Sequence, residues 1–273
     1  MKHRPEIFIY TALACEAKPL VAHYRLNKES RIQPFNVYCN ERVCLTVTGL
    51  GKHAMAAGVA YTQALYFGVE NPILINLGIA GHRAEAVGAP FIGHKITDID
   101  TGRKFYPVLA YSLPCASAAI LTASIPQLNY DHQYLCDMEA SAFYETAIRF
   151  STGELIQCVK IVSDNQARPA DSLDAKQVID LIATNIDVLD LLMDELSRLV
   201  MPIIPEPDDR FEQLVRSCRF TVTEQSRLKK LLLTWQVLTD SRPLEIDTAL
   251  GLRKGKDVLC WLERQIEAVE VTL

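Results

Sequence analysis

The sequence predicts an α/β fold: a sandwich with a mixed, mostly parallel central sheet between helices, followed by a small helical C-terminal appendage. Three observations predict it. Over the first 165 residues, short apolar runs alternate with segments of helical spacing, the order that builds a sheet covered by helices. Pro72–Leu77 is apolar except for Asn76, as the sequence of a strand buried on both faces largely is. Pro202, Pro205 and Pro207 then fall within six residues. They resist helix and sheet alike and set off a region without strand patterns.

The elements follow in order. Glu6–Leu13 reads as a strand. Asn36–Tyr38 and Arg42–Thr48 read as neighbouring strands joined at the turn-prone Asn40-Glu41. Gly51–Phe67 reads as an alanine-rich helix whose small residues Ala54, Ala57 and Gly58 let it lie close on a sheet. Pro72–Leu77 is followed by an expected glycine-rich bend, Gly78-Ile79-Ala80-Gly81. Pro90–Thr97, Ala118–Ala123 and Leu155–Val162 are further strands. Asp137–Phe150 has helical spacing, and Leu173–Val200 reads as one long amphipathic helix.

The expected division is an α/β domain over 1–200, a linker over 201–208 and a helical region over 209–273. In the last, Phe211–Arg219, Thr223–Leu238 and Lys256–Val269 have helical spacing. Thr223 is the candidate N-cap, without a capping box because its Glu follows directly. Leu228, Leu231, Leu232 and Trp235 fall at i, i+3, i+4, i+7 and form an apolar face that needs a partner. That partner is either the α/β domain or a bundle formed by the tail itself.

The chain has 273 residues, 49% hydrophobic content and a net charge of -5, without a run of like charges. It buries a sizeable core and lacks the concentrated basic face that nucleic acid requires. No apolar stretch reaches membrane-spanning length, and the short run Ile7–Tyr10 behind Met1–Pro5 reads as a strand, not a leader. The eight cysteines are scattered, with no CxxC pair and no zinc spacing. They read as reduced thiols in a cytoplasmic protein, with no metal and no cofactor expected.

Ligands in such folds sit at the carboxyl ends of strands. That directs attention to Glu16, Gly49–Lys52, Gly78–His82 and Ser163-Asp164, and four places along the chain carry chemistry. Glu16 follows the first strand, as a general base or as a charge on a helix dipole. Gly49-Leu50-Gly51-Lys52 joins a strand to a helix, as an anion-holding turn or an ordinary one. Asp137-Met138-Glu139 opens a helix, with Glu139 as a helix-start charge or as a carboxylate matched to a vicinal diol. Ser163-Asp164 ends a buried strand, as an Asx turn or as a proton donor.

The order of these pieces is more specific than any one of them. Val47-Thr48-Gly49-Leu50-Gly51-Lys52, Ile75-Asn76-Leu77-Gly78-Ile79-Ala80-Gly81, Met138-Glu139-Ala140 and Ser163-Asp164 together resemble the nucleoside phosphorylase superfamily, most of all its methylthioadenosine/adenosylhomocysteine nucleosidases. The resemblance runs from about Ile7 to about Val200. It implies a three-layer sandwich of that type and cleavage of the N-glycosidic bond of an adenosine-type purine nucleoside by water, with acid assistance at the base. It makes Asp164 the acid and Glu16 the carboxylate that activates water. Glu139 grips the ribose hydroxyls and Met138 lines the sugar face. Ser163, Gly78 and Lys160 complete the substrate-binding set, Lys160 where the family often has arginine. It implies a homo-oligomer, at least a homodimer. Phosphorolysis, served by Lys52 and Lys160, is the alternative reaction, and a non-catalytic nucleoside-binding sensor or scaffold the alternative class. The chain departs from the family between Tyr106 and Asp137, which is short. Leu121–Gln127 lacks the aromatic that usually stacks on the base, leaving Tyr130 or Tyr134 as stand-ins. Ile79 and His82 also replace smaller residues.

Overall fold

Side-chain alternation along the first strand builds two cores. The computed structural model describes residues 4–31, 34–200, 209–239 and 243–269, so the proline-rich 201–208 lies outside the described residues. The chain divides into two compact units, Met1–Val200 and Met201–Leu273. In the first, the strands are Ile7–Thr11 (β1), Asn27–Lys28 (β2), Asn36–Cys39 (β3), Val43–Val47 (β4), Ile73–Gly81 (β5), Pro90–Asp98 (β6), Lys104–Phe105 (β7), Ala116–Thr122 (β8), Leu135–Asp137 (β9) and Ile156–Asp164 (β10). The helices are Ala14–His23 (α1), Lys52–Leu65 (α2), Ala140–Ala147 (α3), Ala175–Thr184 (α4) and Ile186–Val200 (α5). Ile7 and Ile9 of β1 join α1, α4 and α5 in one apolar cluster, while Phe8 and Tyr10 join α2 and α3 in the other. Successive strand residues point to opposite faces, so one IFIYT run serves both cores.

The sheet is mixed. β1 lies between β4 and β5, parallel to both, and β3 and β2 extend that side antiparallel. On the other side β10 runs parallel to β5 and antiparallel to β6, β6 runs parallel to β8, and β8 parallel to β9. β9 returns to β5 through the pair Gly81–Cys136. Five strands, β5, β10, β6, β8 and β9, therefore close into a ring within the sheet.

Several sequence expectations are corrected. Gly78–Gly81 is not a bend: β5 runs straight through it to Gly81. Its glycines serve close approach. A Cβ at Gly78 would lie 3.1 Å from Glu16 Oε1, and one at Gly81 would lie 2.7 Å from Asp164 Oδ2. The expected helix from Asp137 begins at Ala140, because Asp137 still belongs to β9. Leu173–Val200 is two helices. Asp174 caps the first with Gln177 in a capping box, and Asn185 ends it, its side chain donating to the carbonyls of Leu181 and Gly88. No periodic signal marked α1, and Pro19 stands inside it.

The second unit holds Asp209–Ser217 (α6), Val222–Leu238 (α7), Asp247–Leu250 (α8) and Gly255–Glu267 (α9). The N-cap of α7 is Thr221, not Thr223, and Glu224 three residues on completes a capping box. The apolar face of α7 finds partners inside its own unit: Leu228, Leu232 and Trp235 are buried with Leu214, Phe220, Val258 and Leu262, and Leu231 packs at the edge of that cluster.

The close approach of α2 to the sheet rests on Gly58, where an added Cβ would lie 2.5 Å from Thr48 Cγ2. Gly58→Ala gains about 1 kcal/mol of helix propensity but overpacks a site that costs about 1–3 kcal/mol to relieve. Thermal unfolding is expected to show a lowered Tm. An unchanged or raised Tm means that Thr48 yields without cost.

Candidate functional site

Parallel pairing brings the carboxyl ends of β1, β4, β5 and β10 to one edge of the sheet, where β9 also ends beside Gly81. A cavity of about 190 Å³ lies there, walled by Leu13, Glu16, Leu50, Ile79, Asp137, Met138, Glu139, Ser163 and Asp164 among others. Of the sequence-predicted residues, Glu16, Met138, Glu139, Ser163 and Asp164 thus meet around one space. Gly78 and Lys160 do not line it. Gly78 is backed by the side chains of Glu16 and Lys160, for which it leaves room, and Lys160 is buried behind the wall.

Glu16 is held in the first turn of α1, so the helix-start reading and the cavity reading describe one residue. Its Oε2 accepts the backbone N–H groups of Ala12 at 3.0 Å and Leu13 at 2.8 Å, and its Oε1 accepts that of Ile79 at 3.0 Å. Burial pushes its pKa up, against the pull of the Leu13 and Ile79 N–H groups and of Lys160. Glu139 precedes α3, and its Oε1 accepts the Gly51 N–H at 2.7 Å. The glycine turn at the start of α2 does hold an anion, and the anion is this side chain. Gly49 and Gly51 have φ of 93° and 91°, a region that L side chains avoid.

Asp137 is the residue that sequence reasoning did not single out. Its Oδ2 lies 2.7 Å from Lys160 Nζ and accepts the Ala140 N–H at 2.7 Å, while its Oδ1 accepts the Thr122 hydroxyl at 2.7 Å. The signal was Lys160 itself, a cation within the apolar run Ile156–Val162, which demands a buried carboxylate. Lys52 is likewise committed, at 2.9 Å from Asp98 and 2.6 Å from Asp100. Asp164 carries hydroxyls on both oxygens: Ser163 donates to Oδ1, and Tyr130 donates to Oδ2 at 2.8 Å. Tyr130 is buried, whereas Tyr134 is exposed. Among the described residues, no group of His, Cys, Asp and Glu is arranged to hold a metal, and no helix is long and apolar enough to cross a membrane.

No protein-family model matches the sequence, and no curated protein does. Solved structures do. The chain is similar to futalosine hydrolase of Helicobacter pylori strain 26695, at 14% identity and a TM-score of 0.56, over 70% of this chain and 98% of that one. It is similar to Campylobacter jejuni 5'-methylthioadenosine/S-adenosyl homocysteine nucleosidase at 15% identity and a TM-score of 0.56, over 70% and 99%. The Streptococcus pneumoniae MTA/SAH nucleosidase in complex with 8-aminoadenine matches at 20% identity and a TM-score of 0.54, over 70% and 99%. The chain shares the fold of these nucleosidases.

The crowding of carboxylates has a measurable consequence. Burial pushes Glu139 from near 4.5 up to about 7, with Lys160 pulling down and Asp137 pushing up. The unfolded chain gives up this proton near pH 4.5 and the folded chain near 7, so the folded state holds more protons in between. The resulting stabilisation is complete below about 4.5 and is lost as pH rises through about 7. Glu139→Gln should remove a pH-dependent loss on the order of 3 kcal/mol, read as urea midpoints on either side of that window. Parallel pH profiles for wild type and variant would contradict the shifted Glu139.

Proposed function

We propose that the α/β unit is a purine nucleosidase that hydrolyses the N-glycosidic bond of an adenosine-type nucleoside, of the methylthioadenosine or adenosylhomocysteine kind. One observation carries this reading: Glu16, Asp137, Glu139 and Asp164 line the cavity, and no cation lines it among the described residues. Departure of a purine leaves positive charge on the ribose, which carboxylates stabilise. Asp164 gives a proton to the leaving base, Glu16 takes one from the attacking water, and Glu139 accepts hydrogen bonds from the ribose hydroxyls beside Met138. The same charge distribution disfavours phosphorolysis. Phosphate would enter a wall of carboxylates, and Lys52 and Lys160 are both paired with aspartates. The fold shared with nucleosidases supports the reading further.

We further propose a homodimer in the cytoplasm. Its eight thiols are all free, which suits a reducing compartment. Leu50 and Leu128 stand at the cavity wall yet are 61% and 54% exposed, and burial of each remaining surface against a second copy would contribute about 1–2 kcal/mol.

Adenine release from methylthioadenosine, adenosylhomocysteine and adenosine, followed with and without phosphate, tests the reaction. Free sugar is expected as product, at a rate indifferent to phosphate. Asp164→Asn and Glu16→Gln should each lower turnover by about 10²–10⁴ while leaving the fold intact. Formation of a sugar 1-phosphate would overturn hydrolysis, and nucleoside binding without base release would favour the sensor. For assembly, sedimentation velocity should give a dimer for the wild type and a monomer for Leu128→Glu. A monomeric wild type ends the dimer proposal.

A further inference from the structure

Tyr130 lies in the short connection between β8 and β9, where the sequence offers no aromatic at the place its resemblance requires. Its backbone has φ of 51°, a region that bulky side chains avoid. Something must hold it there. The residue is 9% exposed, and its hydroxyl makes two hydrogen bonds of fixed sense. The Ala170 N–H donates to it at 2.9 Å, and it donates to Asp164 Oδ2 at 2.8 Å. An N–H cannot accept, so the one phenolic proton is committed to Asp164.

We infer that Tyr130 is the positioning residue of the acid, fixing the Asp164 carboxylate in the orientation from which it delivers its proton. Asp164 is clamped from three sides. Ser163 donates to Oδ1, Tyr130 donates to Oδ2, and the bare backbone of Gly81 lies against the same oxygen, where a Cβ would come within 2.7 Å. With both oxygens held, the carboxylate cannot turn, and it still lines the cavity. Tyr130 itself does not line the cavity. It acts through Asp164, and no proton leaves it during the reaction. Burial and the neighbouring Asp164 push its phenol up to about 12, so it remains a donor throughout the working range of the acid. The Ala170 bond also ties the β8–β9 connection to the chain that follows β10, so one hydroxyl fixes two loops against the acid.

The inference rests on the reading of Asp164 as acid, and its test separates the two. Tyr130→Phe keeps the ring and removes only the hydroxyl. Expected are a fall in kcat of roughly 10- to 100-fold, the range of one hydrogen bond to a charged group, and a KM within about threefold, because no substrate contact is lost. The alkaline limb of kcat should move to higher pH, since a donor that favours the carboxylate anion is gone. A merely structural residue would not move that limb. The second readout needs no activity. In a thermal-unfolding cycle of Tyr130→Phe with Asp164→Ala, or with the near-isosteric Asp164→Leu should the alanine variant not fold, the losses should be non-additive, because each variant breaks the same bond. If the wild type releases no base from any nucleoside, the nucleosidase reading fails and the cycle still decides the contact. Additive losses, or a folded Tyr130→Phe with wild-type kcat and pH profile, overturn the inference.

Discussion

Lys160 sits in the middle of a strand on which every residue from Ile156 to Asp164 is buried. An ammonium there must have a carboxylate, and Asp137 supplies it at 2.7 Å with both side chains almost wholly out of water. Burial works against the charged lysine, yet Asp137 and Glu139 hold its pKa above the ordinary value. Such a pair adds little net stability, but losing one partner strands the other at a cost of about 3–5 kcal/mol. Its value is geometric. Asp137 also takes the Ala140 N–H and the Thr122 hydroxyl, so one carboxylate joins β10, β8 and the start of α3. Met138 and Glu139 are strung between those anchors. Their direction into the cavity follows from the ion pair.

The rest of the site is made by removing side chains as much as by adding them. Gly78 leaves the space that Glu16 and Lys160 occupy, Gly81 admits Asp164, and Gly51 turns an N–H toward Glu139. Bringing this many carboxylates together out of water raises the cost of ionising them, which is why burial leads the upward shifts of both Glu16 and Glu139. One ammonium, set behind the wall and already paired, offsets only part of that charge.

Much of this was legible in the sequence wherever the signal was local. The IFIYT run, the alanine-rich helix and the apolar Leu155–Val162 run carry their burial pattern in consecutive residues. Glu16, Ser163 and Asp164 stand just past strands that the sequence shows, at the edge where ligands collect, whereas Glu139 follows β9, three residues long, which no pattern marked. What was not legible depends on contacts across the chain. Gly78–Gly81 reads as a bend because glycine marks turns and close approach alike, and only the side chains of Glu16 and Asp164 decide between them. Asp137 reads as a helix-start charge until Lys160, 23 positions on, is seen to need it. Tyr130 meets Asp164 across 34 positions from a connection without any pattern. Thr221 could have been recognised, since Glu224 stands at capping-box spacing.

The lysine at 160 also bears on what kind of site this is. Where a family uses arginine, the planar fork serves two acceptors at fixed angles; a lysine is a point charge on a flexible stem. In this chain the cation has one close carboxylate, Asp137, and influences Glu16 and Glu139 only through space. A point charge suffices for that, provided the carboxylates are oriented by something else. They are: Glu16 by three backbone N–H groups, Glu139 by Gly51, and Asp164 by two hydroxyls. Orientation comes from separate neutral donors, each serving one carboxylate. In the proposed hydrolysis this leaves the cavity wall negative where the ribose becomes positive, while the ammonium of Lys160, behind that wall, stays paired with Asp137.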